Sequence, residues 1–494
     1  MQTGSKLKIL YVSAEVSPFA KTGGLADVAG SLPQTLAAMG NDVRVVMPRY
    51  KTIKSGMSYV ADFPVVMGDR RETCIVRETE TNYKADGKTM KMPVYFIDSY
   101  HYYDREGIYC YMDDADRFVF FCKAVLEMLP RINFQPDVIH CNDWHTGPIC
   151  LLLKEKYKRY PFYSNMSAVF TIHNLEYQGH FSKDTLRVLN MGEDVFTPEK
   201  AEFYGGFNFM KAGLVYTDII NAVSETYAEE VKTERYGEKM EGLLNKRAKD
   251  LYGIVNGISY EEFNPAEDPK IYKNYSLENY EDKKQNKYAL QKEVGLPKSD
   301  KPLIGIVHRL TAQKGLDLIL DVMDEIMESD VQFVLLGLGD PYYENKFKEY
   351  AEKYPDKMKV IIEFNVTLAQ RIYSGSDVFL MPSRFEPCGL GQLISLRYGT
   401  IPIVRSTGGL ADTVLDFNAD EKQGNGFTFT DYTSEAFLNA LKRAIKVYNQ
   451  KPEAWDMLIQ RALESDFSWK TSAEKYLKLY KLAVEKQEAK EKLA

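Results

Sequence analysis

Apolar residues in this chain gather in short runs, each followed by a stretch whose apolar positions recur at helical spacing. Residues 8–13 (Lys-Ile-Leu-Tyr-Val-Ser) form the first run. After a glycine-containing loop, residues 27–39 carry helical spacing and stop at Gly40, the residue type that most readily closes a helix. Residues 42–47 make the next run. Strand, loop, helix and strand in that order open a doubly wound parallel sheet, whose strands are buried on both faces and so read as continuously apolar. Further strands are predicted at 94–97, 138–140, 168–172 and 219–223, with a helix over 118–129.

The alternation breaks at Gly253-Ile-Val-Asn-Gly-Ile258, and a polar segment rich in Lys, Asn, Glu and Tyr runs to residue 301. It resumes with strands predicted at 303–307, 333–336, 360–362, 378–381 and 401–404. A chain of 494 residues exceeds what one core supports, so two doubly wound α/β domains are expected. The segment 472–494 has a helical pattern with Tyr476, Leu477, Leu479, Tyr480 and Leu482 as its apolar stripe, and should pack rather than span a membrane.

One hexapeptide occurs twice, as Thr22-Gly-Gly-Leu-Ala-Asp27 and Thr407-Gly-Gly-Leu-Ala-Asp412, each after a strand and opening a helix. Either two similar folds reuse one turn, or both helix N-termini offer backbone N–H groups to one anion.

Composition narrows the partners. Apolar residues make up 45% and charged residues 27%, which is globular, and a formal net charge of -7 gives no long-range attraction to nucleic acid or anionic lipid. The six cysteines show no CxxC pair, no window approaches a membrane span, and residues 1–7 show no targeting pattern; a reduced, cytoplasmic setting is expected.

Open α/β sheets bind ligands at the carboxyl ends of their strands, which singles out Ser383-Arg-Phe-Glu-Pro-Cys-Gly-Leu390. There Glu386 serves either a ligand or the surrounding backbone. Arg309 and Lys314 bracket another strand-end loop, where two cations and the N-terminus of a helix starting at 314 or 315 suit an anion. Lys21, with Gly23 and Gly24, offers a third cation on a loop that a ligand can approach closely. His173 and Asn174 end the strand 168–172, placing an imidazole to donate to a ligand's hydroxyl or leaving group. His140, Cys141, Asp143 and His145 are metal-ligand types, but strand alternation turns the first two to opposite faces, and no metal is expected.

The ordered series Lys21-Thr-Gly-Gly-Leu-Ala-Asp-Val28, Asp143-Trp-His145, Thr171-Ile-His-Asn174, Tyr177-Gln-Gly179, Gly253-Ile-Val-Asn-Gly257, His308-Arg-Leu310, Gln313-Lys-Gly315, the Glu386 segment, Tyr398-Gly-Thr400 and Thr407-Gly-Gly-Leu-Ala-Asp412 resembles bacterial glycogen and starch synthases along nearly the whole chain. The resemblance implies a GT-B fold, two Rossmann-like domains facing across a cleft. Residues 1–255 would form the acceptor-side domain, joined by a returning C-terminal helix at 460–494, and residues 256–459 the nucleotide-sugar domain. It implies retaining transfer of glucose from ADP-glucose to the non-reducing 4-OH of an α-1,4-glucan, front-face, with the diphosphate helping to deprotonate the acceptor and with neither metal nor prosthetic group.

By the same resemblance Glu386, His173, Arg309 and Lys314 are catalytic. Lys21, Gly23, Gly24, Asn174, Phe364, Cys388, Gly389, Leu390, Thr407, Gly408 and Gly409 hold the sugar nucleotide, and Asp143, His145 and Tyr177 line the acceptor side. Five positions depart from the family pattern. Gly391 replaces a Thr or Ser, Asn142 a His, Ser259 an Asp, and Phe364-Asn365 a Tyr-His pair near the base, which leaves the choice between ADP-glucose and UDP-glucose to resemblance. A same-fold transferase with another acceptor and a non-catalytic glucan-binding protein are the competing readings. Oligomeric state is not legible.

Overall fold

The computed structural model describes residues 6–54, 56–85, 87–418 and 423–493, with side chains to 490. Residues 1–5, on which part of the targeting expectation rests, and the last residue of the predicted tail helix lie outside the described residues. The chain divides into two compact units, one of residues 1–223, 228–254 and 469–494, the other of residues 224–227 and 255–468.

In the first unit the strands are β1 (Lys8–Val12), β2 (Asp42–Pro48), β3 (Ser58–Met67), β4 (Arg70–Ala85), β5 (Lys88–Asp98), β6 (Val138–Asn142), β7 (Ser167–Ile172), β8 (His180–Phe181), β9 (Glu202–Phe203), β10 (Gly206–Asn208), β11 (Ile219–Ala222) and β12 (Leu251–Gly253). Nine form one sheet in the order β12-β11-β7-β6-β1-β2-β5-β4-β3; β8, β10 and β9 form a small separate one. In the nine-stranded sheet pairing is parallel from β12 through to β5 and antiparallel in β3–β4 and β4–β5, and the small sheet is antiparallel. The order reverses between β1 and β6, so the switch point lies where Val12 and Asn142 end their strands.

The long β3–β5 meander extends well beyond the predicted strand at 94–97. Outside 94–97 most of its residues are polar or part-exposed, and the buried positions, among them Val65, Met67, Cys74 and Val76, alternate with more exposed ones, so the apolar signal is weak.

The helix predicted at 27–39 spans Gly24–Ala38 and buries Leu25, Val28, Ala29, Leu32 and Leu36. The helix predicted at 118–129 spans Asp114–Arg131. The tail helix runs Trp469–Leu493 and buries Ala473, Tyr476, Tyr480 and Ala483 completely. Tyr480 Oη is 2.7 Å from His140 Nδ1, and Asn221 Nδ2 donates to Tyr476 Oη at 3.0 Å. His140 Nε2 is 2.7 Å from Thr171 Oγ1 of β7, so one ring nitrogen faces the tail and the other the neighbouring strand. The tail joins the first unit from Trp469, not from residue 460. The preceding helix Pro452–Glu464 buries Trp455, Leu458 and Ala462 in the core of the second unit, each large side chain contributing about 1.5–3 kcal/mol there.

The second unit has β13 (Leu303–Val307), β14 (Gln332–Leu336), β15 (Met358–Ile361), β16 (Val378–Met381), β17 (Ile401–Arg405) and β18 (Phe427–Phe429) in one parallel sheet ordered β15-β14-β13-β16-β17-β18. Its switch point lies between β13 and β16, which aims the loops at 308–315 and 382–390 at one place. Among the described residues no helix is long and apolar enough to cross a membrane.

Candidate active site

In the second unit, Lys314 and Glu386 meet at the switch point. Gly315 takes φ +70°, and a Cβ there would lie 2.0 Å from the Pro382 carbonyl, so glycine lets the 308–315 loop dock on the segment leaving β16. Arg384 N–H donates to Gln313 O at 2.8 Å and fixes the register. The result places Lys314 Nζ 2.6 Å from Glu386 Oε2, which also accepts from Ser383 Oγ at 3.0 Å. Glu386 is 6% exposed, a depth at which a carboxylate persists only when paired. Lys314 keeps two further N–H donors and Glu386 its second oxygen. The helix expected from 314 or 315 begins instead at Leu316 and lasts only to Asp321, after a 3-10 turn, Ala312–Lys314.

Arg309 is exposed and makes no side-chain ion pair among the described residues. Beside it His308 is held neutral, its pKa lowered to about 3 by burial and then by Lys314. Phe364 stands 78% exposed before the helix Val366–Gly375, its ring uncovered, while Asn365 caps that helix through Leu368 N–H at 2.9 Å. Cys388 is buried and its thiol pushed up to about 12 by desolvation, so it stays neutral. Gly389 takes φ +78°, and Leu390 leads into the helix Gly391–Arg397.

Thr407 is buried, and Gly408 and Gly409 press against the Glu386 loop. A Cβ on Gly408 would lie 2.0 Å from Glu386 O, and one on Gly409 2.2 Å from Cys388 O. Gly409 N–H donates to the carbonyls of Glu386 and Pro387 at 3.2 and 3.1 Å. That N–H is therefore not free for an anion, as a shared role for the two hexapeptides required.

In the first unit, β6 and β7 deliver Asp143, His173 and Asn174 side by side. Asp143 sits at φ 56°, ψ 179°, a conformation almost confined to glycine. Its carboxylate accepts from His173 N–H at 2.7 Å and Asn174 N–H at 3.5 Å. Burial raises its pKa to about 7 against those two hydrogen bonds, with Glu15 adding to the rise. His173 has a pKa lowered to about 3 by burial, and its Nε2 is 2.9 Å from Asn142 Oδ1. His145 stacks between Trp144 and Tyr109, with ring centroids 3.9 and 4.8 Å away. Its pKa is also held well below the usual value by burial, and Nδ1 has no partner among the described residues. Tyr177 is 56% exposed, and Asn174 closes its own turn by accepting from Glu176 N–H.

Lys21 Nζ pairs with Asp27 at 2.6 Å, and the Lys21–Gly24 loop is anchored by Glu15, a residue the sequence did not single out. Buried to 3%, Glu15 accepts from Thr22 N–H, Thr22 Oγ1 at 2.7 Å, Gly23 N–H at 3.3 Å and Tyr109 Oη at 2.6 Å. Its only sequence signal was one acid just after the apolar run of β1. Because Tyr109 also stacks on His145, these contacts link the loop to the end of β6. Among the described residues no three His, Cys, Asp or Glu side chains group as a metal site.

A family model of the starch synthase catalytic domain matches residues 8–246, and one of group 1 glycosyl transferases matches residues 288–462. The chain is 56% identical to the glycogen synthase of Desulforudis audaxviator strain MP104C over 97% of each chain. It is 53% identical to that of Moorella thermoacetica over 98% of each. The solved catalytic domain of starch synthase IV from Arabidopsis thaliana, bound to ADP and acarbose, aligns with a TM-score of 0.89 at 33% identity, covering 97% of this chain and 100% of that one. Two doubly wound sheets with polar switch-point loops, matched by these models, define a glycosyltransferase of the GT-B fold. Within that class, the chain belongs to the glycogen synthase family.

Proposed function

We propose that this enzyme lengthens an α-1,4-glucan, transferring glucose from ADP-glucose to the non-reducing 4-OH with retention of configuration. The observation that carries the reading is the buried Lys314–Glu386 pair, 2.6 Å apart at the switch point of the second sheet. Departure of a nucleoside diphosphate builds negative charge on phosphate oxygens, and a preorganised cation there lowers the barrier. Lys314 supplies that cation and Arg309 a second, exposed one, while the free oxygen of Glu386 holds the sugar and balances positive charge developing at its anomeric carbon. His173, Asn174 and the Lys21 loop bind the donor from the first unit's strand ends, and Asp143, His145 and Tyr177 form the acceptor side. Phe364 offers a stacking face to the base.

The ADP and acarbose bound to the plant starch synthase support an adenine nucleotide and a glucan-like acceptor. No metal or prosthetic group enters the reaction, and we place the enzyme in the cytoplasm, consistent with six free cysteines. Incubation with glycogen and either ADP-glucose or UDP-glucose, following nucleotide release and polymer growth, tests the proposal. Growth with ADP-glucose is expected. Growth with UDP-glucose alone would reassign the donor, since an uncovered phenyl ring stacks on any base, and growth with neither would overturn the reading.

A further inference from the structure

Asn142 and His173 meet at the carboxyl ends of neighbouring strands, and the bonding around Asn142 decides which imidazole nitrogen carries the proton. Asn142 Nδ2 lies 2.9 Å from Val12 O and 3.4 Å from His140 O, both acceptors, so this end of the amide must be the NH2 group. The other end is therefore the carbonyl oxygen, which can only accept. Two groups approach it, Tyr11 Oη at 3.0 Å and His173 Nε2 at 2.9 Å. A neutral imidazole nitrogen facing an acceptor must bear its hydrogen, and burial keeps this imidazole neutral. Nδ1 then carries a lone pair and has no hydrogen-bond partner among the described residues.

We propose that Asn142 is a positioning residue that locks His173 in its Nε2–H tautomer, so that His173 meets the sugar as a hydrogen-bond acceptor. This corrects the expectation that His173 donates. A group that only accepts selects a donor, so Nδ1 fits a sugar hydroxyl and repels a phosphate oxygen or a carboxylate. The site thereby sorts the two ends of its substrate, with hydroxyl-rich sugar at His173 and diphosphate elsewhere. Asp143 completes the grip: it holds the His173 backbone N–H while Asn142 holds the ring, so consecutive residues of one strand end fix both parts of the histidine. Tyr11, fully buried, is a second donor to the same oxygen and keeps it from rotating away.

The inference rests on the reading of His173 as a sugar-facing residue, but its first test does not need substrate. Long-range nitrogen–proton correlation spectra of the full-length protein with nitrogen-15 histidine, with H173Q identifying the signal, should show His173 neutral at pH 7 with its proton on Nε2. A proton on Nδ1, or a charged ring, would overturn the assignment. In N142L, which removes the acceptor, the second tautomer should appear and turnover should fall about 10- to 100-fold, the usual cost of removing a partner that orients an imidazole. The glucan KM should stay within about twofold.

Wild-type turnover in N142L, or a loss of turnover with the Nε2–H tautomer unchanged, would refute the positioning role. If N142L does not fold, the wild-type spectrum decides. Absence of glucan growth in the wild-type protein would count against the proposed function, not against the tautomer.

Discussion

The hexapeptide Thr-Gly-Gly-Leu-Ala-Asp appears once in each unit, and the two copies do opposite work. In the first, Gly23 has nothing within 4 Å of where a Cβ would point, its loop is mostly exposed, and Asp27 pairs with Lys21. In the second, Gly408 and Gly409 are buried against the Glu386–Cys388 backbone, and Asp412 accepts from Thr226 N–H at 2.9 Å and from the Thr226 hydroxyl. The first copy leaves its glycine open to a ligand and is tethered from below by Glu15. The second spends its glycines on close approach, bracing the loop that carries Glu386. Identical residues thus encode a turn, and the neighbours of the turn decide whether it stays open or braces.

The largest effect expected from this division falls on what the second copy supports. Glu386→Gln should lower kcat about 10²- to 10³-fold, the range for losing a group that acts in the transition state, with the fold intact by circular dichroism. Unchanged turnover would remove Glu386 from the mechanism. Bracing itself is tested by Gly409→Ala, whose new methyl meets the Cys388 carbonyl and should cost about 2–3 kcal/mol in denaturant unfolding; a neutral result would mean the second copy does not brace.

Next in size, Glu15→Ala leaves the Thr22 and Gly23 N–H groups without their acceptor. It should reduce kcat/KM for the sugar nucleotide about 10- to 100-fold while the glucan KM holds, as expected when hydrogen bonds to a charged group, worth about 1.5–3 kcal/mol each, no longer hold the loop in place.

Titration separates the two regions further. His308 has a folded pKa of about 3, below its unfolded value near 6.5, so its share of stability is present above pH 6.5 and is lost as pH falls toward 3, at about 1.4 kcal/mol per pH unit. Asp143, raised to about 7, works in reverse: it favours the folded state increasingly as pH falls from 7 toward 4, offsetting His173 beside it. In denaturant midpoints against pH, His308→Gln should flatten the acid limb and Asp143→Asn should steepen it; parallel curves would contradict the assignment. Smallest of all, Gly23→Ala should change stability by less than about 0.5 kcal/mol, because φ is -155° and the space is open, yet raise KM for the donor. A stability loss matching that of Gly409→Ala would erase the distinction between the copies.

Much was written in local pattern. Every parallel strand that ends at a switch point was legible as a short, largely apolar run, because burial on both faces leaves few polar positions to blur it, His140 and Asn142 in β6 being exceptions. Lys314 and Glu386 were legible because strand ends are where such sheets bind ligands, and the family followed from an ordered series of motifs. The β3–β5 meander was not legible, since a largely solvated antiparallel extension satisfies its backbone by pairing and needs few apolar residues.

What the sequence alone determined is the order of elements and the loops that carry chemistry, because these depend on periodicity and on residues near in the chain. Only the tertiary structure decided that Glu15 tethers a loop seven residues away together with Tyr109, ninety-four residues on, that Asn142 sets the face His173 presents, and that the second hexapeptide braces. Each depends on which partner fills a buried hydrogen bond. That partner is supplied by strand neighbours and packing, and linear spacing does not record it.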